Sequence, residues 1–467
     1  MHEHKKYHKN MKYTAVSVIC GFLMSALLLA GCGVAHEQQI GAEEGMSAEN
    51  IEEIGTDSAE GSEGNESGET EESDGTGIGE AADTDGSTAE DTEEAADVPL
   101  HTDYVTDEMY ERAVSYQQGD LTRLAAVMRK AQAGEDITVG VIGGSITEGY
   151  SASNREKNCY AYHMYEWWQE RFPEITVNYV NAGIGGTSSY LGVHRVQEDL
   201  LDEKPDFVIV EFSVNDGNNS FYKKSYDNLL RRILLDENSP ALMLLFTTQE
   251  NGTNAQMNDA LLGFGYKLPM ISYGNAVLPS IEAGEFTWKD ISPDNIHPND
   301  RGHAIIGELL YRYFNDVYAR LDEIPEEVTP FTAEAQTIER YMNGRVLDSQ
   351  SLTPISLGSF EEKKVNWYYP NDWHTTGGEE AIVFEVEAAN IGMLYQRTVD
   401  GTYGQFDVYI DGECVRTVDG NFVNGWGSAT AEMELYTSNE VAVHRIEVRK
   451  NADSTGDLFT ILGWLIS

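Results

Sequence analysis

Residues 207–216 read FVIVEFSVND, a mainly apolar run of strand length that passes straight into a polar turn. A strand without regular polar alternation is covered on both faces, as in a parallel sheet with helices above and below it. Four further runs share this character: ITVGVI (137–142), ITVNYV (175–180), ALMLLF (241–246) and LPMIS (268–272). Helical stretches separate them, among them CYAYHMYEWWQERF (159–172) and YDNLLRRILLDE (226–237). Ahead of the first strand, DLTRLAAVMRKAQAGE (120–135) sets Leu121, Leu124, Ala125 and Met128 on one helical face, with Asp120 as N-cap and a glycine at the end. Strands alternating with helices predict an α/β fold with a parallel sheet. In such sheets the functional site lies outside the carboxyl ends of the strands.

After a last helix, RGHAIIGELLYRYFNDVYARL (301–321), the character changes near Ile324 to PEEVTPFTAEAQ (325–336). Beyond about Asp348 the pattern has period two: Ile382, Phe384 and Val386 interleave with Val383, Glu385 and Glu387. Phe406, Val408 and Ile410 alternate in the same way before Asp411-Gly412, a two-residue hairpin signal. The C-terminal residues 345–467 are therefore expected to form a second domain, an antiparallel β-sandwich, behind the α/β domain at 101–325.

The first 32 residues carry a basic start, an apolar run from Thr14 to Leu29, and then small residues closing on a cysteine. That is the pattern of a secretory signal. Its ending, Leu29-Ala30-Gly31-Cys32, resembles the bacterial lipobox, which implies lipidation of Cys32 and a membrane-anchored protein outside the cytoplasm. An uncleaved anchor is the alternative, although the run is shorter than the ~20 residues a span prefers. From Gly33 to Val98 there is no Lys or Arg while acidic and small residues dominate, so residues 33–100 are expected to be a disordered, self-repelling spacer. The formal net charge of −48 argues against nucleic acid as a partner. Cys20 lies in the leader, Cys32 is the lipid site, and Cys159 and Cys414 fall in different predicted domains, so no disulfide framework is expected.

Four strand ends carry polar groups. The first reads VIGGSITEGY (141–150) and exposes Ser145 where the chain leaves the sheet. It lacks the lysine of a phosphate loop, and Thr147 stands where the G-x-S-x-G elbow needs its second glycine. The second reads NAGIGGTSS (181–189), with glycines that let backbone N–H groups approach a ligand. The third ends in Asn215-Asp216, and the last is SPDNIHPND (292–300), where Asn299 or Asp300 caps the following helix. Asp294 and His297, three apart on one turn, are suited to an oriented base beside a serine. His163, His194 and His303 are rivals, with His303 inside the last helix. A His297–His303 metal site has no cysteine or carboxylate cluster to complete it, so neither metal nor other cofactor is expected.

These blocks resemble the SGNH hydrolases, the GDSL-like esterase and lipase family, over roughly residues 120–318. IGGSIT, NAGIGG, SVND and DNIHP match its four blocks, with Ser145, Gly186, Asn215, Asp294 and His297 at the functional positions. GGSIT stands where GDS-L is usual, and Ser213 replaces a glycine two places before the asparagine. The resemblance implies a flavodoxin-like three-layer α/β/α sandwich with a parallel sheet, joined here to a jelly-roll-like antiparallel domain. It also implies a Ser145–His297–Asp294 triad and an oxyanion hole from the Ser145 and Gly186 N–H groups and the Asn215 amide. The expected activity is hydrolysis of O-acyl esters, chiefly O-acetyl groups on polysaccharides. A lipase or lysophospholipase, a glycan O-acyltransferase and a non-catalytic glycan-binding lipoprotein are the alternatives. In the C-terminal region, Trp367, Tyr369, Trp373 and Trp426 are candidates for stacking on sugar rings.

Overall fold

A computed structural model describes residues 103–467 apart from 117 and 424. The signal segment, Cys32 and the acidic spacer lie outside the described residues. Among the described residues no helix is long and apolar enough to cross a membrane.

The N-terminal part is built on β1 (Ile137–Gly143), β2 (Val177–Gly183), β3 (Phe207–Glu211), β4 (Ala241–Phe246) and β5 (Met270–Ser272). All neighbours pair in parallel, in the order β2-β1-β3-β4-β5. That is the flavodoxin-like order, whose topological switch point falls between β1 and β3. In chain order the helices are α1 (Asp107–Ala113), α2 (Thr122–Gln132), α3 (Ser145–Glu148), α4 (Tyr160–Arg171), α5 (Ser189–Asp199), α6 (Ser220–Leu234), α7 (Gln256–Tyr266), α8 (Tyr273–Glu282), α9 (Trp288–Ile291) and α10 (Asp300–Ala319).

Strand pleating divides the apolar side chains between two cores. Phe207 and Ile209 of β3, with Ala241, Met243 and Leu245 of β4, face α2, α4 and α10. Their neighbours Val208, Val210, Leu242, Leu244 and Phe246 face α5, α6 and α7. Unbroken apolar runs are thus the consequence of two covered faces. Asn299 caps α10 by accepting from the Gly302 N–H at 3.1 Å, whereas the N-cap of α2 is Leu121 and not Asp120, which stands one residue earlier and accepts from the Thr122 N–H at 2.9 Å.

The C-terminal part is antiparallel: β6 (Arg345–Leu347), β7 (Glu361–Lys363), β8 (Asp372–Thr375), β9 (Ile382–Arg397), β10 (Gln405–Ile410), β11 (Glu413–Asp419), β12 (Ala429–Lys450) and β13 (Phe459–Ile466). One hydrogen-bonded path runs β11-β10-β12-β9-β13-β8-β7, with β6 also on β13. The layers of the expected sandwich come from this single curled sheet. The register of β12 shifts near Glu434 and again after Thr437, irregularities of the kind that bend a long strand. Asp411 and Gly412 both have positive φ, 54° and 85°, and make the tight β10–β11 hairpin.

The two parts share apolar surface. Leu394, Leu462 and Leu465 point away from the core of the sheet and join Tyr190, Leu229 and Leu230 of α5 and α6. Residues between α10 and β6 are held on the same surface: Asp227 accepts from the Thr337 N–H and hydroxyl at 2.7 Å, and Asn228 accepts from the Tyr341 N–H at 2.8 Å.

Candidate active site

Where β1 ends, Gly143 and Gly144 bring the chain around so that Ser145 opens α3 at the carboxyl edge of the sheet. A Cβ on Gly143 would lie 2.1 Å from Thr147 Oγ1 and 2.3 Å from the Glu211 carbonyl oxygen. One on Gly144 would lie 2.2 Å from Asn215 Oδ1. At Gly143 the clash is with backbone and only glycine fits; at Gly144 a side chain would displace Asn215, whose amide is set against the residue that precedes the serine.

The last predicted block arrives between α9 and α10. Its turn is fixed from within: the Ser292 hydroxyl reaches the carbonyls of Asp294 and His297 at 2.6 and 2.7 Å, and Trp288 Nε1–H donates to the Asp294 carbonyl at 2.6 Å. Asp294 Oδ1 accepts from the N–H groups of Ile296 and His297, both at 2.7 Å. Its Oδ2 lies 2.8 Å from His297 Nδ1, and His297 Nε2 lies 2.9 Å from Ser145 Oγ. Partial burial raises the Asp294 pKa, but the hydrogen bonds and charge of His297 and the Ile296 N–H outweigh it and leave the carboxyl below its ordinary value. An ionised Asp294 facing Nδ1 holds the proton there and turns an unprotonated Nε2 toward the serine, the arrangement for activating a hydroxyl nucleophile. The Tyr150 ring lies 4.5 Å from the imidazole, centroid to centroid, and covers it.

The rival histidines are core residues. His303 is fully buried, accepts from the Tyr160 N–H at 3.3 Å, and is pushed down to about 4 by burial. His194, on α5, is likewise pushed down to about 4 by burial, and its Nδ1 lies 2.7 Å from the Tyr190 carbonyl. His163 pairs with Glu166 on its own helix at 2.9 Å. Among the described residues no cluster of metal-ligating side chains is present.

Gly186 has φ of +73° and lies in the turn between β2 and α5. The turn is tied to three carboxylates, of which the sequence reading named Asp216 but neither Glu148 nor Glu432. Glu148 Oε2 accepts from the Gly185 N–H at 2.8 Å, while its other oxygen takes Arg155 and the Tyr368 hydroxyl, each at 2.7 Å. Asp216 Oδ1 accepts from the Ser189 N–H at 2.9 Å; burial pushes this carboxyl up to about 8. Glu432 of β12 accepts from the Ser188 N–H and hydroxyl at 2.9 and 2.7 Å. Glu148 stands one helical turn after Ser145 and was open to detection by spacing. Glu432 is 244 residues from its partner and left no local signal.

The four C-terminal aromatics divide. Trp426 is half exposed, and a Cβ on Gly186 would touch its ring at 3.5 Å, so it stands at the edge of the site. Trp367 is 55% exposed, next to Tyr368, which reaches Glu148. Trp373 must be corrected: it is fully buried, with its ring 4.8 Å from that of Phe384, and its hydrophobic surface serves the core of the sheet. Tyr369 also fails as a stacking platform, because it packs against the apolar cluster shared with α5 and α6.

Comparison with known proteins bears on the family and the class of activity. Residues 141–305 match the GDSL-like Lipase/Acylhydrolase family. The chain is 26% identical over 178 residues to thioesterase 1/protease 1/lysophospholipase L1 of Escherichia coli, covering 37% of this chain and 81% of that protein. It is 23% identical over 203 residues to an acetylxylan esterase of Geobacillus stearothermophilus, covering 37% of this chain and 90% of that protein. A crystal structure of a two-domain esterase active on acetylated mannans, co-crystallised with mannopentaose, superposes with a TM-score of 0.69 at 31% identity, over 77% of this chain and 97% of that one. A relative so similar, matched across both parts of the molecule, leaves a plain conclusion: the chain belongs to the GDSL-like lipase/acylhydrolase family and is a carboxylic ester hydrolase.

Proposed function

We propose that the chain removes O-acetyl groups from a polysaccharide with Ser145 as nucleophile, His297 as general base and acid, and Asp294 as the carboxylate that orients the imidazole. The observation that carries this reading is the hydrogen-bonded chain from Ser145 Oγ through both His297 nitrogens to Asp294. Ser145 Oγ attacks the ester carbonyl while Nε2 takes its proton. The tetrahedral oxyanion is met by the Ser145 and Gly186 N–H groups and the Asn215 side-chain amide, each donor being worth about 3 kcal/mol in the transition state. Collapse breaks the bond to the sugar oxygen, which leaves with the proton from Nε2. Water then attacks the acetyl-serine by the same path in reverse, releasing acetate and restoring Ser145.

Polysaccharide as the substrate class is supported by the acetylated-mannan and acetylxylan activities of the two carbohydrate-acting relatives and by the exposed rings of Trp367 and Trp426 beside the site. The leader and Cys32 fit a lipid-anchored enzyme outside the cytoplasm, where such polymers are met, with the acidic spacer as tether. The test is acetate release from a panel of acetylated polysaccharides, compared with esters of longer acyl chains, by the wild type and Ser145→Ala. The reading expects acetate release that Ser145→Ala abolishes; preference for long acyl chains would instead favour a lysophospholipase-like role.

A further inference from the structure

The backbone donors around Gly186 are accounted for in an uneven way. Gly183 donates to the Asn181 side chain, Ile184 to the Gly143 carbonyl, Gly185 to Glu148, Ser188 to Glu432, Ser189 to Asp216 and Tyr190 to the Ser188 hydroxyl. Among the described residues, no group accepts from the N–H of Gly186 or Thr187. The turn is thus pinned on both sides of Gly186 while the N–H at its apex stays available. One pin, Glu148, belongs to the α/β part and sits one turn after Ser145. The other, Glu432, enters from the C-terminal sheet.

Glu432 is part-buried, and desolvation raises its pKa above the ordinary value. Holding a carboxyl in such a place is unfavourable unless its hydrogen bonds are good. Here they are two, both from Ser188, the N-cap of α5, so the carboxyl also meets the positive end of that helix dipole. The same strand keeps its neighbour Glu434 on Tyr341, which is seated on α6 through Asn228. The sheet therefore reaches the Gly186 turn through a paired strand and not through a loop.

We propose that Glu432 is a positioning residue for ester hydrolysis: through Ser188 it fixes the turn that aims the Gly186 N–H at the developing oxyanion, so that the C-terminal sheet completes the catalytic geometry. This rests on the reading of Ser145 as nucleophile and Gly186 as oxyanion donor. A displaced donor weakens transition-state binding and leaves ground-state binding largely alone. The loss belongs in kcat.

The experiment compares Glu432→Met and Glu432→Gln in the full chain, with 4-nitrophenyl acetate as probe and near-ultraviolet circular dichroism to verify folding. Methionine keeps length and volume but removes both oxygens; glutamine keeps one acceptor for Ser188. The expected result is a fall in kcat for Glu432→Met of up to about a hundredfold, the scale of a misplacement near 1 Å, with KM within a factor of two to three and most of kcat restored in Glu432→Gln. Should Glu432→Met fail to fold, Ser188→Ala removes one of the two bonds and is expected to lower kcat in the same sense. Unchanged kcat in the folded variant, or equal losses in Glu432→Met and Glu432→Gln, overturns the positioning role. Activity that survives Ser145→Ala overturns the underlying esterase reading, and the role of Glu432 with it.

Discussion

At His297 each ring nitrogen has one partner, and each partner makes a separate demand on the chemistry. Replacing Asp294 by asparagine keeps a side chain able to accept from the Ile296 and His297 N–H groups but removes the charge that stabilises the imidazolium. Asp294→Asn is expected to fold and to lose on the order of 10³–10⁴-fold in kcat, measured with 4-nitrophenyl acetate. His303 makes the opposite case. Its folded pKa of about 4 lies below the ordinary 6.5, so the unfolded chain binds the extra proton between those values. The stability it contributes is present above about pH 6.5 and is lost as pH falls toward 4. His303→Gln should keep activity within about tenfold and flatten the fall in Tm between pH 7 and pH 4, with His194 retaining its share of the slope. The pairing of Asp294 with His297 was legible because the two are neighbours on one turn. Asn215 and Gly186 needed the family pattern, and Glu432 could be found only in three dimensions, since nothing near it in sequence distinguishes a strand glutamate that faces inward.

Among the elements, the crossing of α4 and α10 is sharply constrained. A Cβ on Gly307 would lie 2.7 Å from the Cβ of His163, a contact with no flexible end to yield. Gly307→Val is expected to cost about 1–3 kcal/mol through overpacking and to lower Tm in a thermal melt while leaving the spacing of Ser145 and His297 intact. The inner strands β1, β3 and β4 were readable to within a residue, because burial on both faces demands apolar side chains. The edge strands were not: β2 runs Val177–Gly183 against the expected 175–180, with Asn178 and Asn181 breaking its apolar run, and β5 starts two residues late at Met270. The four-residue helices α3 and α9 were not, since one turn shows no periodicity. Nor was the reach of β12, which runs from Ala429 to Lys450: its irregularities interrupt the period of two on which a strand is recognised. Residues 326–344 fall between the two expected domains, yet Asp227 and Asn228 of α6 hold Thr337 and Tyr341 through backbone N–H groups, which any sequence supplies.

Taken whole, the molecule has no clean seam between its α/β part and its sheet. Leu394, Leu462 and Leu465 complete a core that α5 and α6 begin, and a chain ending at residue 344 would expose that surface to water. Residues 103–344 alone are expected to aggregate or melt well below the full protein, and calorimetry of the full protein should give one transition, not two. The strap between the parts has a further consequence for how covalent continuity relates to assembly. Glu326 and Glu327 are exposed, whereas the residues after them are seated on α6 by Asp227 and Asn228. A single cut there by a glutamate-specific endoproteinase should leave two polypeptides that elute as one particle and still hydrolyse acetyl esters. On that expectation the peptide bond is dispensable, and the enzyme is in effect a heterodimer whose subunits happen to share one chain.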